Sequence, residues 1–294
     1  MLKVEGLSKF YGKNKGIENL SFTVEAGEIL GIIGTNGSGK TTTFRLLLGL
    51  LLPDQGMISY QNAGISQCHN RVFGYLPEER SVYRDLKVTE QLRFLASLKE
   101  MDKAVIQERM NYWLQRLDIE EYRNRPIREL SKGNQQKVQL VCALIHDPDI
   151  VILDEPLTGL DVINVRLFKN IINELKSAGK LILISSHQYE YIEEFCEKII
   201  LLKSGDVQYN GTVSKLRKTS AQRYISVLSD VYHDYLPEDG VIKQQSFGNV
   251  VRLTIENSTK AKKLLRKLLK EEAIMSVTLG LPTLGDIIQA KVLI

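Results

Sequence analysis

The sequence predicts an α/β fold in which a parallel β-sheet is interrupted by a helical block and followed by a smaller α+β domain. Short apolar runs at Ile29–Ile33, Ile150–Leu153 and Leu181–Ile184 are typical of strands buried in a parallel sheet. Between the first two runs, residues 89–146 carry apolar side chains at the spacing of helices. Alternating strand patterns return after residue 223. A sheet covered by helices, followed in the chain by a separate small domain, explains this order.

The composition is that of an ordinary globular protein. Of the 294 residues, 43% are hydrophobic and 25% are charged, so enough apolar side chains are available for a core. The net charge of +4 is too small to indicate a nucleic-acid partner, and none is expected. The chain shows no secretory signal and no run of 18 apolar residues, which predicts a cytoplasmic location. The widely spaced Cys68, Cys142 and Cys196 are expected to be reduced thiols.

A glycine-rich motif follows the first apolar run. It consists of Gly34, Thr35, Asn36, Gly37, Ser38, Gly39, Lys40, Thr41 and Thr42, and it matches G-x-x-x-x-G-K-[ST], the P-loop. The glycines let backbone N–H groups converge on a phosphate at a helix N-terminus. Lys40 is placed to reach the β- and γ-phosphates, and the Thr41 hydroxyl to hold Mg²⁺. The motif therefore predicts a nucleotide-binding protein.

Two carboxylates and a histidine follow later strands. Asp154 and Glu155 come directly after Ile150–Leu153, at the strand end where open α/β sheets bind ligands. Asp154 is placed to bind Mg²⁺ through water, and Glu155 to orient or deprotonate an attacking water. His187 follows the next strand and suits a γ-phosphate sensor. A capped or solvated turn at the two carboxylates, and a purely structural histidine, are the alternatives.

Tyr11 lies in a predicted loop, Leu7–Gly12, between the first two strands. An aromatic side chain at this place can stack on adenine, or it can simply pack in the loop.

The predicted domain boundary lies in a polar, linker-like stretch at residues 212–222. The first domain is expected to span residues 1–218, with a helical subdomain at about 79–147, and the second to span 219–294. In the second domain, the helix from Ser258 carries leucines on one face and lysines and arginines on the other. A solvated basic face and contact with an anionic membrane surface are both possible interpretations.

The stretch Leu130-Ser131-Lys132-Gly133-Asn134-Gln135-Gln136 precedes Asp154 and resembles the signature Leu-Ser-Gly-Gly-Gln of the ATP-binding subunits of ABC transporters. Alone, Ser131 would be only a plausible helix cap. The resemblance covers about residues 1–215 and rests on six motifs in the family's order. It implies a P-loop NTPase core of the ABC ATPase type. Residues 223–294 are loosely similar to the accessory domain of some bacterial exporter subunits.

The resemblance implies a role for each matching residue. Tyr11 matches the adenine-stacking aromatic, Gly34–Thr42 the Walker A loop and Ile150–Asp154 the Walker B strand. Glu155 matches the catalytic carboxylate and His187 the switch histidine.

The signature and two further motifs complete the implied site. Ser131 and Gly133 match the residues that cap the γ-phosphate of ATP bound by the opposite subunit, and Asp161 ends the D-loop. Glu78 stands where the family has the Q-loop glutamine, an Mg²⁺ ligand, and this Tyr-Leu-Pro-Glu-Glu segment resembles exporter ATPases. Lys132 and Asn134 also depart from the signature, so altered hydrolysis rates are expected.

The family implies an ATP-hydrolysing subunit that uses Mg²⁺ and pairs with a second ATPase subunit, identical or a close paralogue. It implies export through separate integral membrane permease subunits, at the cytoplasmic face of the cell membrane. We expect docking around Glu79–Leu86, with Val82 and Tyr83 as anchors. The alternatives are a soluble ABC-type ATPase acting on ribosomes or DNA, and a weakly hydrolysing regulatory subunit.

Overall fold

The computed structural model describes residues 1–65, 71–79, 81–230, 235 and 238–292, with side chains described up to residue 289. The chain forms two compact units, Met1–Asn210 and Gly211–Ile294. Within the described ranges, no helix is long and apolar enough to cross a bilayer. Cys142 and Cys196 are free thiols, whereas Cys68 lies outside the described residues.

The first unit contains two sheets and six α-helices among its described residues. Its strands are β1 (Leu2–Tyr11), β2 (Asn14–Val24), β3 (Ile29–Gly34), β4 (Gln55–Tyr60), β5 (Ala63–Gly64), β6 (Phe73–Leu76), β7 (Ile150–Asp154), β8 (Leu181–Ser185), β9 (Lys198–Lys203) and β10 (Asp206–Thr212). Its helices are α1 (Lys40–Leu47), α2 (Val88–Leu98), α3 (Lys103–Arg116), α4 (Lys132–Leu144), α5 (Val162–Ser177) and α6 (Tyr189–Phe195).

The predicted parallel core is confirmed. Six strands form a sheet in the order β10-β9-β3-β8-β7-β6, in which β3 pairs in parallel with β8 and β9, and β7 with β6 and β8. Every residue of β3, β7 and β8 is buried, which explains their uninterrupted apolar sequences. The register pairs Asp154 with Ser185, and Ser185 with Ile32. The ends of three strands therefore meet at one edge of the sheet.

A second sheet, in the order β2-β1-β4-β5, contains the amino-terminal strands. β1 pairs antiparallel with β2 up to Tyr11 opposite Asn14. The prediction that Leu7–Gly12 forms a loop is therefore wrong, because the strand continues through register shifts to Tyr11. Tyr11 ends a strand beside a tight turn.

One hydrophobic core joins both sheets to α1. Phe44 and Leu47 of α1 are fully buried with Leu7 of β1, Ile17 of β2 and Ile152 of β7. Each such side chain stabilises the fold by roughly 1.5–3 kcal/mol. This packing fixes the amino end of α1 relative to β3.

The helical block consists of α2, α3 and α4, with short 3₁₀ turns at Glu120–Tyr122 and Ile127–Glu129. Leu92, Met110, Leu114 and Val138 fill its interior. Between β6 and α2, Val82 is only 9% exposed, so most of its side chain is covered within this unit. Tyr83 beside it is exposed, and Arg80 lies outside the described residues.

The described residues of the second unit form a four-stranded antiparallel sheet and three helices. This unit contains α7 (Val213–Thr219), β11 (Arg223–Ser229), β12 (Val241–Phe247), β13 (Val250–Ile255), α8 (Ser258–Leu268), β14 (Ile274–Gly280) and α9 (Leu284–Val292). The strand order is β12-β13-β11-β14. Ala261, Leu264 and Leu268 of α8 pack on Ile225 and Leu253 of the sheet.

The domain boundary predicted at residue 218 lies eight residues too late. The supposed linker folds as α7, which Thr212 caps by accepting a hydrogen bond from the Lys215 N–H, and Val213 and Leu216 are buried. The chain is therefore divided into its two compact units after Asn210.

The basic face of α8 is exposed and includes Lys262, Lys263, Arg266 and Lys267. Lys267 forms an ion pair with Glu238. A solvated basic face and contact with an anionic membrane surface both stay open as interpretations of this helix.

Candidate nucleotide-binding site

The loop between β3 and α1 has the backbone that its glycines predict. Gly39 precedes α1 in a left-handed conformation with φ 109°, and a Cβ atom there would lie 2.4 Å from the Gly16 carbonyl oxygen. A Cβ atom on Gly34 would lie 2.5 Å from the Leu202 carbonyl oxygen. Neither position has room for a side chain. The loop is therefore held tightly between β2 and β9.

Lys40 begins α1 and is buried at the base of this loop. Its ammonium donates hydrogen bonds to the carbonyl oxygens of Gly34, at 2.7 Å, and Thr35, at 3.2 Å. Burial lowers the pKa of Lys40, and the carboxylates of Glu155, Asp154 and Glu78 oppose that shift. The cation therefore lies within the electrostatic reach of three acidic residues.

A cavity of about 400 Å³ opens over the loop. The residues that line it are Tyr11, Lys15, Gly16, Asn36, Gly37, Ser38, Gly39, Lys40, Thr41, Thr42 and Glu78. Tyr11 is 46% exposed, so one side of its ring is free to contact a ligand. A Cβ atom on Gly16 would lie 2.7 Å from this ring, so the glycine leaves space for it.

Lys15 and Gly16 were not among the residues that the sequence singled out. Lys15 Nζ lies 2.6 Å from Asp206 and 2.8 Å from Glu18, and both pairs raise the pKa of Lys15. The only feature of the sequence that indicates a role for Lys15 is its position shortly after Tyr11 in a hairpin.

Asp154 and Glu155 are both buried at the end of β7. The Ser185 hydroxyl, on the neighbouring strand β8, donates a hydrogen bond to Asp154 Oδ1. Ser185 Oγ also accepts a hydrogen bond from the Glu155 N–H, at 3.0 Å. Sequence reasoning placed Ser185 in a strand without a role, because strand pairing is needed to bring it opposite Asp154.

Glu155 has an unusual backbone, with φ 52°. The left-handed region costs a non-glycine residue about 1–2 kcal/mol. Thr158 Oγ1 donates to Glu155 Oε2 at 3.1 Å, and His187 Nε2 lies 3.4 Å from Glu155 Oε1. Among the described residues, Oε1 has no hydrogen-bond partner although it is buried. This carboxylate oxygen is therefore free to accept a proton or a hydrogen bond.

Burial also raises the pKa of Asp154. The Ser185 hydroxyl opposes this shift, Glu78 and Glu155 add to it, and Lys40 opposes it. The Asp154 carboxylate and the Thr41 hydroxyl both offer hard oxygen donors of the kind that Mg²⁺ prefers. No group of three or more acidic, histidine or cysteine side chains within the described residues could hold a metal ion. The donors present match a cation that keeps phosphate and water ligands.

The stretch Leu130–Gln136 forms the beginning of α4. Ser131 caps this helix by accepting a hydrogen bond from the Asn134 N–H at 3.2 Å. Gln136 Nε2 donates to the Pro156 carbonyl oxygen at 2.7 Å, directly beyond Glu155. The signature helix is thereby tied to the end of β7.

Asp161 caps α5 and accepts hydrogen bonds from the backbone and side-chain nitrogens of Asn164, at 2.9 and 2.8 Å. A Cβ atom on Gly133 would lie 3.0 Å from Asn164 Nδ2, so these two segments are adjacent. Ser131, Gly133 and Asp161 are not among the described residues that line the cavity over the P-loop. Ser131, Gly133 and Asp161 thus form a second group of predicted site residues, apart from those that line the cavity.

Comparisons with known proteins agree with this geometry. The ABC transporter family model matches residues 17–158. ABC transporter ATP-binding protein YhaQ of Bacillus subtilis is 36% identical over 293 residues, covering 99% of this chain and 98% of that protein. The lipopolysaccharide export system ATP-binding protein LptB of Haemophilus influenzae is 34% identical over 218 residues, covering 72% of this chain and 90% of that protein. The solved structure of an ATP-binding subunit of an ABC transporter superposes with a TM-score of 0.69 at 32% identity, covering 74% of this chain and 92% of that one.

A P-loop at the edge of a parallel sheet, with a helical block inserted between β6 and β7, defines an ATP-binding cassette. The chain belongs to the family of ABC transporter ATP-binding proteins. It is an ABC-type ATPase and binds ATP.

Proposed function

We propose that this chain hydrolyses ATP with Glu155 as the general base and works as one half of a dimer that drives export. The observation that carries the proposal is the buried Glu155 Oε1, which has no hydrogen-bond partner among the described residues. It lies 3.4 Å from His187 Nε2. A buried, unpartnered carboxylate oxygen is costly, so a reactive role explains its persistence better than a structural one.

In this proposal, the cavity lining and the residues at the ends of β7 and β8 act on different parts of ATP. The Tyr11 ring stacks on adenine, and the N–H groups of Gly37 and Gly39 and the ammonium of Lys40 hold the phosphates. Glu155 takes a proton from the attacking water, while His187 donates a hydrogen bond to the γ-phosphate. Mg²⁺ would be held by Thr41 and Asp154, with Glu78 nearby, and would neutralise charge on the phosphates.

The second group of site residues supports a dimer with composite sites. Ser131, Gly133 and Asp161 do not line the cavity over the P-loop, and we propose that they complete the site of an opposing subunit. Val162 and Ile163, directly after Asp161, are 85% and 82% exposed. Two adjacent apolar side chains so exposed are expected where another protein surface covers them.

Export through membrane subunits is supported by two features. The relative LptB belongs, by its name, to an export system. An apolar groove of about 630 Å³ lies between α1 and the helical block, with Leu50, Ile65, Leu95 and Leu98 in its lining. Val82 also lines this groove, and Tyr83 follows it in the chain. We propose that an integral membrane permease subunit fills the groove and contacts Tyr83, which places the chain at the cytoplasmic face of the membrane. The complete set of Asp154, Glu155 and His187 disfavours a regulatory subunit without hydrolysis.

A mixing experiment tests the composite sites. Lys40→Ala removes the phosphate-binding cation, and Ser131→Arg blocks the signature, so each variant alone should hydrolyse ATP poorly. In a mixed dimer, the P-loop of the Ser131→Arg chain faces the intact signature of the Lys40→Ala chain. The mixture should therefore recover activity well above the sum of the two. If mixing restores nothing and no ATP-dependent dimer forms by light scattering, the sites are not shared between chains.

A further inference from the structure

The Ser185 hydroxyl connects Asp154 and Glu155 at the end of β7. Ser185 ends β8 and is fully buried, and its register partner is Asp154 of β7. Its Oγ donates to Asp154 Oδ1 and accepts from the Glu155 N–H at 3.0 Å. One hydroxyl thus touches the side chain of one carboxylate residue and the backbone of the next.

The chemistry of this arrangement is specific to a hydroxyl. A serine hydroxyl has one donor and two acceptor positions, so it can serve a carboxylate oxygen and an N–H group together. Alanine or valine would serve neither, and both partners are buried, where an unsatisfied polar group is costly. The hydroxyl therefore fixes the relative placement of Asp154 and Glu155.

The backbone of Glu155 gives this bond a further role. Glu155 has φ 52°, in a region that non-glycine residues avoid. Thr158 and His187 contact its side chain, whereas Ser185 bonds its N–H group. A strained conformation persists only where the surroundings hold it, and Ser185 supplies such a contact.

We propose that Ser185 is a positioning residue for ATP hydrolysis: it sets the Asp154 carboxylate for the metal and the Glu155 backbone for water activation at the same time. The inference rests on the proposed roles of these two carboxylates. Ser185 acts through these two residues, and it does not line the cavity over the P-loop.

The chain offers a matched control at Ser8. The buried Ser8 Oγ accepts a hydrogen bond from the Asn19 N–H at 3.0 Å, and Asn19 also has a left-handed backbone, with φ 50°. This pair lies in the β1–β2 sheet. Ser8→Ala therefore removes the same kind of bond to the same kind of backbone, without touching a site carboxylate.

The test measures ATP turnover, ATP affinity and thermal unfolding in the full-length chain. Ser185→Ala should lower kcat by ~10–100-fold, because misplacement of a catalytic group by about 1 Å has an effect of that size. ATP affinity in EDTA should be unchanged, while the gain in affinity on adding Mg²⁺ should shrink. Ser185→Thr keeps the hydroxyl and should recover most of kcat. Ser8→Ala should change neither kcat nor the Mg²⁺ effect.

Ser185→Cys guards against a variant that does not fold, since cysteine is close to serine in size but bonds weakly. It should reproduce the loss of kcat and of the Mg²⁺ effect. The proposal is overturned if Ser185→Ala, or Ser185→Cys where the alanine variant does not fold, keeps kcat and the Mg²⁺ effect within twofold of the parent chain. The proposal is also overturned if Ser8→Ala lowers kcat and the Mg²⁺ effect as much as Ser185→Ala does. If Glu155→Gln also keeps its turnover, the proposed function has failed; if Glu155→Gln is inactive, only the role of Ser185 has failed.

Discussion

The ring of Tyr83 packs edge-on against the ring of Phe94, with centroids 5.9 Å apart and planes inclined by 73°. Tyr83 is 58% exposed, and both rings line a shallow concavity with Arg84, Asp85 and Leu86. The pair presents an aromatic surface with charged neighbours, as the anchors of protein interfaces often do. Val82, the residue before Tyr83, is largely buried.

The first prediction concerns docking of the membrane subunit at this pair. Tyr83→Asp should reduce copurification with the permease at least ~10-fold, because a charge replaces an aromatic side chain that the permease would bury. ATPase activity of the isolated chain should be unchanged. Tyr112→Asp is the control, since Tyr112 is also exposed and packs edge-on against Trp113. Equal copurification of Tyr83→Asp and the parent chain would place the docking surface elsewhere.

Glu78 lines the nucleotide cavity, where the family has glutamine. Glu78→Gln should keep ATP turnover within about threefold and shift its Mg²⁺ dependence, because an amide oxygen still ligates the ion but carries no charge. Titrating turnover against Mg²⁺ measures both effects. Complete loss of turnover would instead assign the carboxylate an essential role.

The second unit should be dispensable for ATP binding. A chain that ends at Asn210 removes this unit as a whole and should bind ATP with the affinity of the full chain. A chain that ends at Thr219 keeps α7 without the rest of its unit, so Val213 and Leu216 lose packing and solubility should fall. Calorimetric titration with ATP checks the first expectation. A folded 1–210 chain that does not bind ATP would show that the nucleotide site needs the second unit.

His146 should make folding sensitive to acid. Its Nε2–H donates to the Phe73 carbonyl oxygen at 2.9 Å, and burial lowers its pKa from 6.5 to about 4. Above pH 6.5 the ring is neutral in both states and has no effect on pH dependence. As the pH falls from 6.5 to 4 the unfolded chain binds a proton first, so the free energy of unfolding should fall by on the order of 3 kcal/mol.

Urea unfolding at several pH values measures this effect. His146→Gln can still donate to the Phe73 carbonyl but does not titrate, so its stability should decline less steeply over this range. An equal slope in both proteins would exclude His146 as the cause.

Much of the first unit could be predicted because its signals are local. The apolar strands, the P-loop glycines and the carboxylates that follow β7 are all contiguous in sequence. Ser185 could not be found in this way, because its role arises from its pairing with Asp154, 31 residues away in the chain. The arrangement of Gln136 with Pro156 depends on tertiary packing for the same reason.

The errors also have physical causes. The sequence predicts a loop at Leu7–Gly12, whereas register shifts in β1 let the strand continue to Tyr11. The polar composition of residues 212–222 predicts a linker, yet Thr212 caps a helix there. The apolar pattern does not predict the last helix, α9, but Thr283 and Asp286 form hydrogen bonds of the kind that cap helices. This pair of residues is the sequence signal of α9.

The most direct test of the central claim is the turnover of Glu155→Gln. The amide has nearly the shape of the carboxylate but cannot take a proton from water. We predict that turnover falls at least ~10²-fold, that ATP affinity is unchanged and that an ATP-bound dimer accumulates. Turnover close to that of the parent chain would contradict the assignment of Glu155 as the base.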